Sequence, residues 1–189
     1  MIMNKNAILG DRFDLNNYQE TVATDSVKAR NYIKRLDYKN NFYLLNCIAQ
    51  TYLDESRFED LRNKMRKEIN FRKWRMAEKY IIEAFKINSE NAEVLYTMGE
   101  IRKLNNQNDI AIYCFEKIIE TDIETIATGE YGRGISFANE LINDSKFELY
   151  RLYYETNPNL SEKYLKMYKN GLKKGFNTIF RPINKFLLK

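Results

Sequence analysis

The chain has 189 residues, of which 31 are Lys or Arg and 26 are Asp or Glu, giving a formal net charge of +5 at pH 7. It contains no histidine, which excludes Ser-His-Asp and Cys-His nucleophile systems and zinc sites built on imidazole. Only two prolines and seven glycines occur. These are too few turn residues for a sandwich or barrel, so the sequence predicts an all-α protein.

Apolar runs in the sequence are short. No stretch reaches the roughly 18 to 20 uncharged apolar residues that a membrane-spanning helix requires. The apolar run at the start of the chain is short and is followed at once by Asp11, which makes the start too polar for a secretory signal. Cys47 and Cys114 lie far apart within apolar helical patterns, which favours buried thiols over a disulfide or a metal site. We expect a cytoplasmic protein that holds no cofactor or metal and enters no membrane.

The predicted elements start with an irregular segment over residues 1–24, which shows no clear period. Asp25 or Ser26 then caps a first helix, because apolar residues recur after it at spacings of three and four. A second helix fits residues 40–53, and residues 54–56 predict a break before the next helix.

A charge-rich helix with one apolar stripe is predicted next, over about residues 57–71. A strongly amphipathic helix then ends near Ile87, and its apolar positions recur thirty-four residues later along the chain. The matching positions are Ala77, Ile81 and Ala84 with Ala111, Phe115 and Ile118. Thirty-four residues is the period of the tetratricopeptide repeat, a pair of helices that stacks on its neighbours.

Residues 92–120 resemble a tetratricopeptide repeat more closely. Leu95, Met98 and Gly99 are similar to the large-large-small pattern of the repeat's first helix, and Gly99 with Ala111 would let two helices approach closely. Arg102 stands where the family carries tyrosine, and the family's terminal proline is absent. The resemblance implies antiparallel helical hairpins stacked as a short solenoid of about seven to nine helices, with an ordinary irregular helical bundle as the alternative.

The last part of the chain predicts an enlarged repeat. A loop is expected after Asp122, followed by a long helix over residues 135–154, a break at Pro158 and a further helix. The ending FRPINKFLLK predicts a basic cap on the last hairpin. We therefore expect one domain over residues 1–189, with the best repeats in 25–122 and the enlarged repeat and cap in 123–189.

Charge is unevenly distributed. Residues 156–189 carry eight basic residues and one acid, and seven of the eight are lysines. A basic end can meet nucleic acid, an acidic membrane or an acidic protein. The excess of lysine and the absence of an RNA-module aromatic motif favour a protein partner, or solubility alone, over nucleic acid.

Two stretches of the sequence resemble catalytic motifs, but neither matches one well. The stretch GEYGRG lacks the Lys-Ser or Lys-Thr ending of a nucleotide-binding loop, and no apolar strand precedes it. Carboxylate pairs such as Glu116 with Glu120 fit solvated helix faces better than an acid–base couple. The sequence therefore predicts a protein that is not an enzyme.

The tetratricopeptide resemblance implies a partner-binding groove lined by the first helix of each hairpin. Aligning the two better-defined first helices places Tyr43 and Tyr96 at equivalent positions. The residues that the resemblance assigns to the groove are Tyr43, Gln50, Tyr96, Glu100 and Lys103, and the later helix extends it with Asn139, Asn143, Lys146 and Tyr150. Tyrosine suits recognition because it offers rigid amphipathic area. The alternative is that both tyrosines pack against a neighbouring helix.

Residues 131–154 and 171–186 also resemble segments of bacterial tetratricopeptide proteins that accompany polymorphic toxins as immunity partners. This resemblance implies a binding protein that neutralises a toxin domain by covering its active surface. A secretion chaperone or assembly scaffold is the alternative within binding proteins. A nucleic-acid-associated factor that uses the basic end is the alternative from another class.

Overall fold

A computed structural model describes residues 13–62 and 71–179 of the chain. Within these ranges the chain forms helices and turns without any β-strand, so the predicted all-α fold is confirmed. The helices are α1 (Leu15–Thr24), α2 (Ser26–Ile33), α3 (Phe42–Arg62), α4 (Phe71–Ile87), α5 (Ala92–Leu104), α6 (Asn108–Glu120), α7 (Ile123–Thr128), α8 (Ile135–Tyr153) and α9 (Pro158–Lys173).

The chain divides into two compact units, Met1–Glu90 and Asn91–Lys189, where the sequence analysis expected one domain. Three predicted features lie wholly or partly outside the described residues. They are the first twelve residues of the irregular segment, part of the charge-rich helix, and the basic cap over residues 180–189.

In unit 1 the prediction of an irregular segment is wrong for residues 15–24, which form α1. Asp14 caps this helix, and its carboxylate accepts from the backbone N–H of Asn16 at 2.9 Å and of Asn17 at 3.2 Å. One aromatic residue anchors it, because the buried Tyr18 hydroxyl donates to the Cys47 carbonyl of α3 at 3.2 Å. A cap and a single anchor leave little apolar periodicity to detect.

Helix α3 packs against α2 and α4, and it continues through residues 54–56, where the sequence predicted a break. Those residues are interior helical positions with tertiary contacts. The Glu55 carboxylate accepts from the Arg30 guanidinium of α2 at 2.9 Å and also binds Lys73 of α4. Arg30 further lies over the ring of Tyr52, 3.8 Å from its centroid. Two ion pairs and a cation–π contact therefore join three helices of unit 1.

Unit 2 begins with the pair α5 and α6, the region with the strongest repeat pattern. Asn91 caps α5 through hydrogen bonds of 3.1 Å from the backbone N–H of Glu93 and of Val94. Gly99 faces the fully buried ring of Phe115 on α6, so closely that a Cβ at Gly99 would lie 2.7 Å from the ring Cζ. Gly99 therefore leaves room for the aromatic ring of Phe115, where the sequence analysis expected room for the close approach of two helices.

The predicted loop after Asp122 is wrong for residues 123–128, which form the short helix α7 under an Asp122 cap. The sequence missed it because six residues show no period. Gly134 then adopts φ 88°, a conformation that suits glycine, immediately before α8. The long predicted helix is confirmed as α8 within one residue of its expected end.

Helix α8 packs on α6, α7 and α9. Glu116 of α6 accepts hydrogen bonds from the hydroxyls of Tyr153 on α8, at 3.0 Å, and of Tyr164 on α9, at 3.2 Å. Burial, together with the Glu116 charge, raises the pKa of Tyr164 to about 12. Glu116 is thus a tertiary contact among three helices, which corrects its interpretation as part of a solvated face. Cys47 and Cys114 are buried thiols that form no disulfide, as predicted.

Candidate functional site

The two tyrosines assigned to a groove are buried. Tyr43 on α3 and Tyr96 on α5 are each 2 % exposed. The Tyr43 ring meets Phe13 edge-on, with 6.2 Å between centroids, and the Tyr96 ring meets Phe115 edge-on at 5.4 Å. Their rings therefore pack against neighbouring side chains in this structure, and they offer no exposed aromatic area. Gln50, on α3 in unit 1, is half-buried, and its place in a groove stays a prediction.

The α8 residues proposed to extend the groove have different environments. Asn143 is fully buried, and its amide oxygen lies 2.1 Å from where a Cβ on Gly171 of α9 would stand. It belongs to the α8–α9 contact, so its prediction as a surface residue is wrong. Asn139 is partly exposed and donates to the Ile135 carbonyl of its own helix at 3.1 Å. Polar character at these positions did not distinguish a surface from an interhelical contact.

Lys146 and Tyr150 lie further along α8 and are half-buried. Burial lowers the pKa of the Lys146 ammonium, and the nearby charge of Lys174 lowers it further. The ring of Tyr150 packs against Phe147, with centroids 5.7 Å apart, and against Tyr154, at 6.1 Å. These two side chains keep partial access to solvent.

Glu100 and Lys103, also assigned from the sequence, belong to a buried charged cluster in unit 2. The Lys103 ammonium donates both to Glu100 on its own helix and to Glu148 on α8. Glu100 is 4 % exposed and Glu148 is fully buried. Lys103 therefore neutralises two carboxylates that have been removed from water, and it fixes α5 against α8.

Two more carboxylates lie on the same helices. Asp144 precedes Glu148 by one helical turn on α8 and is fully buried, and Glu93 precedes Glu100 by two turns on α5 and is 8 % exposed. The four residues Glu93, Glu100, Asp144 and Glu148 are called the carboxylate face below. Glu93 makes the second cross-link from α5, because it lies 3.8 Å from the guanidinium of Arg133, just before α8.

Glu93 has the most perturbed environment of the four. Burial raises the pKa of its carboxyl to about 7, and the Arg133 charge limits this rise. Arg133 is itself held in place, since its guanidinium lies over the Phe137 ring at 3.9 Å. The charge of Glu93 therefore changes near neutral pH.

Replacing Glu93 by glutamine tests this environment. The pKa in the folded chain lies above that of an unfolded glutamate, so the folded state binds the proton more tightly. The contribution of protonated Glu93 to the free energy of unfolding is therefore fully present below about pH 4.5. It is lost as the pH rises through about 7. The raised pKa corresponds to about 3 kcal/mol. We expect Glu93→Gln to raise the free energy of unfolding at about pH 8 by up to this amount, and to change it little at about pH 5.

Urea unfolding of both proteins across this pH range, followed by circular dichroism, measures the effect. The exposed Glu124→Gln is the matched control and should leave the pH profile as in the original protein. Parallel stability profiles for Glu93→Gln and the original chain would contradict the assignment.

The carboxylate face already holds one peptide group. The backbone N–H of Ile179, which follows α9, donates to the Asp144 carboxylate at 2.9 Å. A carboxylate is acceptor-only when ionised, and its two oxygens can take several N–H donors. Within the folded chain, the carboxylates of this face thus bind one backbone amide and the cationic side chains of Lys103 and Arg133.

Sequence analysis missed Glu93, Arg133, Asp144 and Glu148. The sequence did carry a sign that two of them are buried. Glu148 directly precedes the core residue Leu149, and Asp144 lies one turn before Glu148 on the same side of α8. We had assigned charged residues to solvated faces. The contact that joins Lys103 to Glu148, forty-five residues apart in the sequence, becomes visible only in the folded chain, where Glu148 is buried.

Within residues 13–62 and 71–179 no set of three or more Cys, Asp or Glu side chains is arranged to hold a metal ion. In the same part of the chain, no helix has the length and apolar character needed to cross a membrane. Comparisons with protein-family models, with curated proteins and with solved structures find no match. Function has to be inferred from the side chains that the helices place together.

Proposed function

We propose that this chain is a non-catalytic module that binds one protein partner through the carboxylate face of unit 2. The observation that carries the proposal is the hydrogen bond from the Ile179 N–H to the fully buried Asp144. It is a contact between this face and a stretch of polypeptide outside the helices. A partner segment would use the same chemistry, with amides or basic side chains directed at the carboxylates.

The face is suited to selective binding because its charges are held in place. Lys103 and Arg133 fix the positions of three carboxylates before any partner arrives. Preorganised groups avoid part of the entropy cost of binding. Since Lys103 and Arg133 already pair three of these carboxylates, a partner segment has to add donors to the same oxygens or compete with the two cations, which favours basic segments.

The tetratricopeptide resemblance supports the same location. In that family the first helix of each hairpin lines the groove, and α5 and α8 are the first helices of the pairs α5–α6 and α8–α9. The carboxylate face consists of residues from these two helices. The tetratricopeptide assignment itself remains part of this proposal.

A narrower form of the proposal is an immunity protein that neutralises a bacterial toxin in the cytoplasm. The segment that resembles immunity proteins, residues 131–154, contains Arg133, Asp144 and Glu148 and so supplies much of the face. A toxin that acts on nucleic acid needs a basic substrate surface. An acidic face complements such a surface and would cover it.

Affinity capture from the native cells at moderate salt, with identification of the bound protein by mass spectrometry, tests both forms. We expect one stoichiometric partner. It should be lost from an Asp144→Asn, Glu148→Gln variant that circular dichroism shows to be folded, because both carboxylate charges are removed without a change in size. The exposed pair Asp109→Asn, Glu124→Gln is the control with an equal charge change and should keep the partner.

Each other result has a defined meaning. A toxin domain as the partner, with its activity abolished at one-to-one stoichiometry, would support the immunity form. An unfolded segment of an exported or assembling protein would favour a chaperone instead. A partner that the Asp144→Asn, Glu148→Gln variant retains would contradict the site. Recovery of nucleic acid in a strongly salt-dependent manner would contradict the function.

A further inference from the structure

Two tyrosine rings lie face to face where α8 and α9 meet. The rings of Tyr153 on α8 and Tyr164 on α9 are close to parallel, with an angle of 7° between their planes and 5.9 Å between their centroids. Both side chains keep partial access to solvent. A small-molecule reagent can therefore reach the pair while the chain stays folded.

One carboxylate orients both phenols. Tyr153 and Tyr164 donate their hydroxyl hydrogens to the same oxygen of Glu116, Oε1, at 3.0 and 3.2 Å. The two hydroxyl groups therefore converge on one atom, which brings the ring carbons next to each hydroxyl, the ortho carbons, to the same end of the stack. Glu116 is only half-buried, so its carboxylate can exchange a proton with water.

Phenols in this arrangement are suited to oxidative coupling. When a one-electron oxidant takes an electron from a phenol, the phenol also loses its hydroxyl proton and becomes a neutral phenoxyl radical. A hydrogen-bonded carboxylate assists this step because it accepts the proton as the electron leaves. Two neighbouring phenoxyl radicals can then join through a bond between their ortho carbons.

A second stacked pair, in unit 1, lacks this proton acceptor. Tyr52 and Tyr80 have the same centroid distance, 5.9 Å, and an angle of 11° between their planes. The Tyr52 hydroxyl accepts from the Lys34 ammonium at 3.3 Å, and the Arg30 guanidinium lies over the Tyr52 ring at 3.8 Å. These cations oppose the loss of an electron from the ring, and neither can take a proton. Stacking is therefore common to both pairs, and the carboxylate distinguishes the pair in unit 2.

We propose that Tyr153 and Tyr164 are a site of oxidative cross-linking, at which a one-electron oxidant converts the pair to dityrosine and joins α8 to α9 covalently. Two electrons pass to the oxidant, and two hydroxyl protons leave through Glu116 to water. A carbon–carbon bond forms between one ortho carbon of each ring, and the hydrogens of these two carbons move to the phenolic oxygens. In total the chain loses two hydrogen atoms.

The cross-link restrains the part of unit 2 that carries the carboxylate face. It closes a short loop around the turn between α8 and α9, which reduces the conformational freedom of the unfolded chain. Helix α8 also holds Asp144 and Glu148, so oxidation stabilises the element on which the face is built. The cross-link does not depend on partner binding, and either proposal can fail without the other.

Photo-oxidation of the full-length chain with tris(bipyridine)ruthenium(II) and persulfate tests the site, because this reagent withdraws one electron at a time. We expect a monomeric product that is lighter by two hydrogen atoms and shows dityrosine fluorescence. After digestion with trypsin, mass spectrometry should find residues 152–163 joined to residues 164–166. A low protein concentration keeps links between chains rare, and the link within one chain should form at a rate that does not change with concentration.

Three substitutions separate the geometry of the pair from simple exposure. Tyr153→Phe keeps the ring and removes the phenol, so the link to Tyr164 should be lost. Tyr154→Phe is the matched control and should keep the link, although Tyr154 lies in the same peptide and is 64 % exposed. Glu116→Gln keeps the size and an acceptor oxygen but cannot take the proton, so the link should form at least about tenfold more slowly. Circular dichroism checks that each variant is folded.

Four results would overturn the proposal. They are a monomeric product without a bond between Tyr153 and Tyr164, a link that Tyr154→Phe removes, and a rate that Glu116→Gln leaves unchanged. The fourth is a link in the stacked pair of unit 1 that forms as fast as the link in unit 2, since stacking alone would then decide the site.

Discussion

Lys103→Met is expected to lower the free energy of unfolding of unit 2 by about 3 to 5 kcal/mol, since it removes the cation from two buried carboxylates. Glu148 is fully buried and Glu100 nearly so, and both accept from the Lys103 ammonium. Methionine keeps most of the length and apolar stem of lysine, so packing changes little. The decrease in the free energy of unfolding should therefore come mainly from the missing positive charge of Lys103.

The matched control is Lys117→Met on α6. The Lys117 ammonium lies 3.8 Å from Glu120, and both side chains are well exposed, so removing this pair should cost less than about 1 kcal/mol. Denaturant unfolding measures the total effect, and hydrogen exchange of amides in α5 and α8 locates it. Adding Glu148→Gln to Lys103→Met should recover part of the loss, because one buried charge is then absent as well.

A Lys103→Met chain as stable as Lys117→Met would contradict the buried network. The same pair of variants also separates the two roles offered for Lys103. A residue that only forms the rim of a groove would reduce partner binding without a loss of stability. A residue that holds α5 against α8 must reduce both.

The long helices were predictable from the sequence because their apolar positions repeat. The offset from Ala77 to Ala111 matches α4 with α6, and the predicted bounds of α8 agree within one residue. Helix formation over many residues depends on an amphipathic stripe that packs, and this stripe is visible in the sequence.

Short helices were not predictable for the opposite reason. Helix α1 depends on the Asp14 cap and on one buried ring, Tyr18, and α7 depends on the Asp122 cap. A single aspartate is equally compatible with a loop. The break predicted at residues 54–56 reflects the same ambiguity. These polar residues lie inside α3, and Glu55 forms an ion pair with Arg30 of another helix.

The candidate site was partly predictable. The resemblance selected Glu100 and Lys103, and the structure places them in the charged cluster. Burial could not be deduced, because it depends on which element covers a residue. Tyr43 and Tyr96, which the sequence analysis placed at equivalent positions, are the second residue of α3 and the fifth residue of α5, and both are buried by neighbouring side chains. Asp144 and Glu148 were missed because a carboxylate in an amphipathic helix is usually solvated.

Phe115→Ala is expected to lower the free energy of unfolding by about 3 to 5 kcal/mol, since it empties the space of a fully buried ring between α5 and α6. Gly99 faces that ring, and a Cβ there would lie 2.7 Å from its Cζ. Gly99→Ala in the original chain should also be destabilising. The overlap costs about 1 to 3 kcal/mol, and replacing a helical glycine recovers about 1 kcal/mol of it.

The two substitutions should not add. In the Phe115→Ala background the overlap is absent, so Gly99→Ala should become neutral or stabilising, because only the gain in helix propensity is left. Denaturant unfolding of the four proteins in this cycle gives the coupling energy. A cost of Gly99→Ala that is the same in both backgrounds would show that the ring does not limit the approach of α5 to α6. The glycine of the repeat pattern would then lack the packing role that links this sequence to stacked helical hairpins.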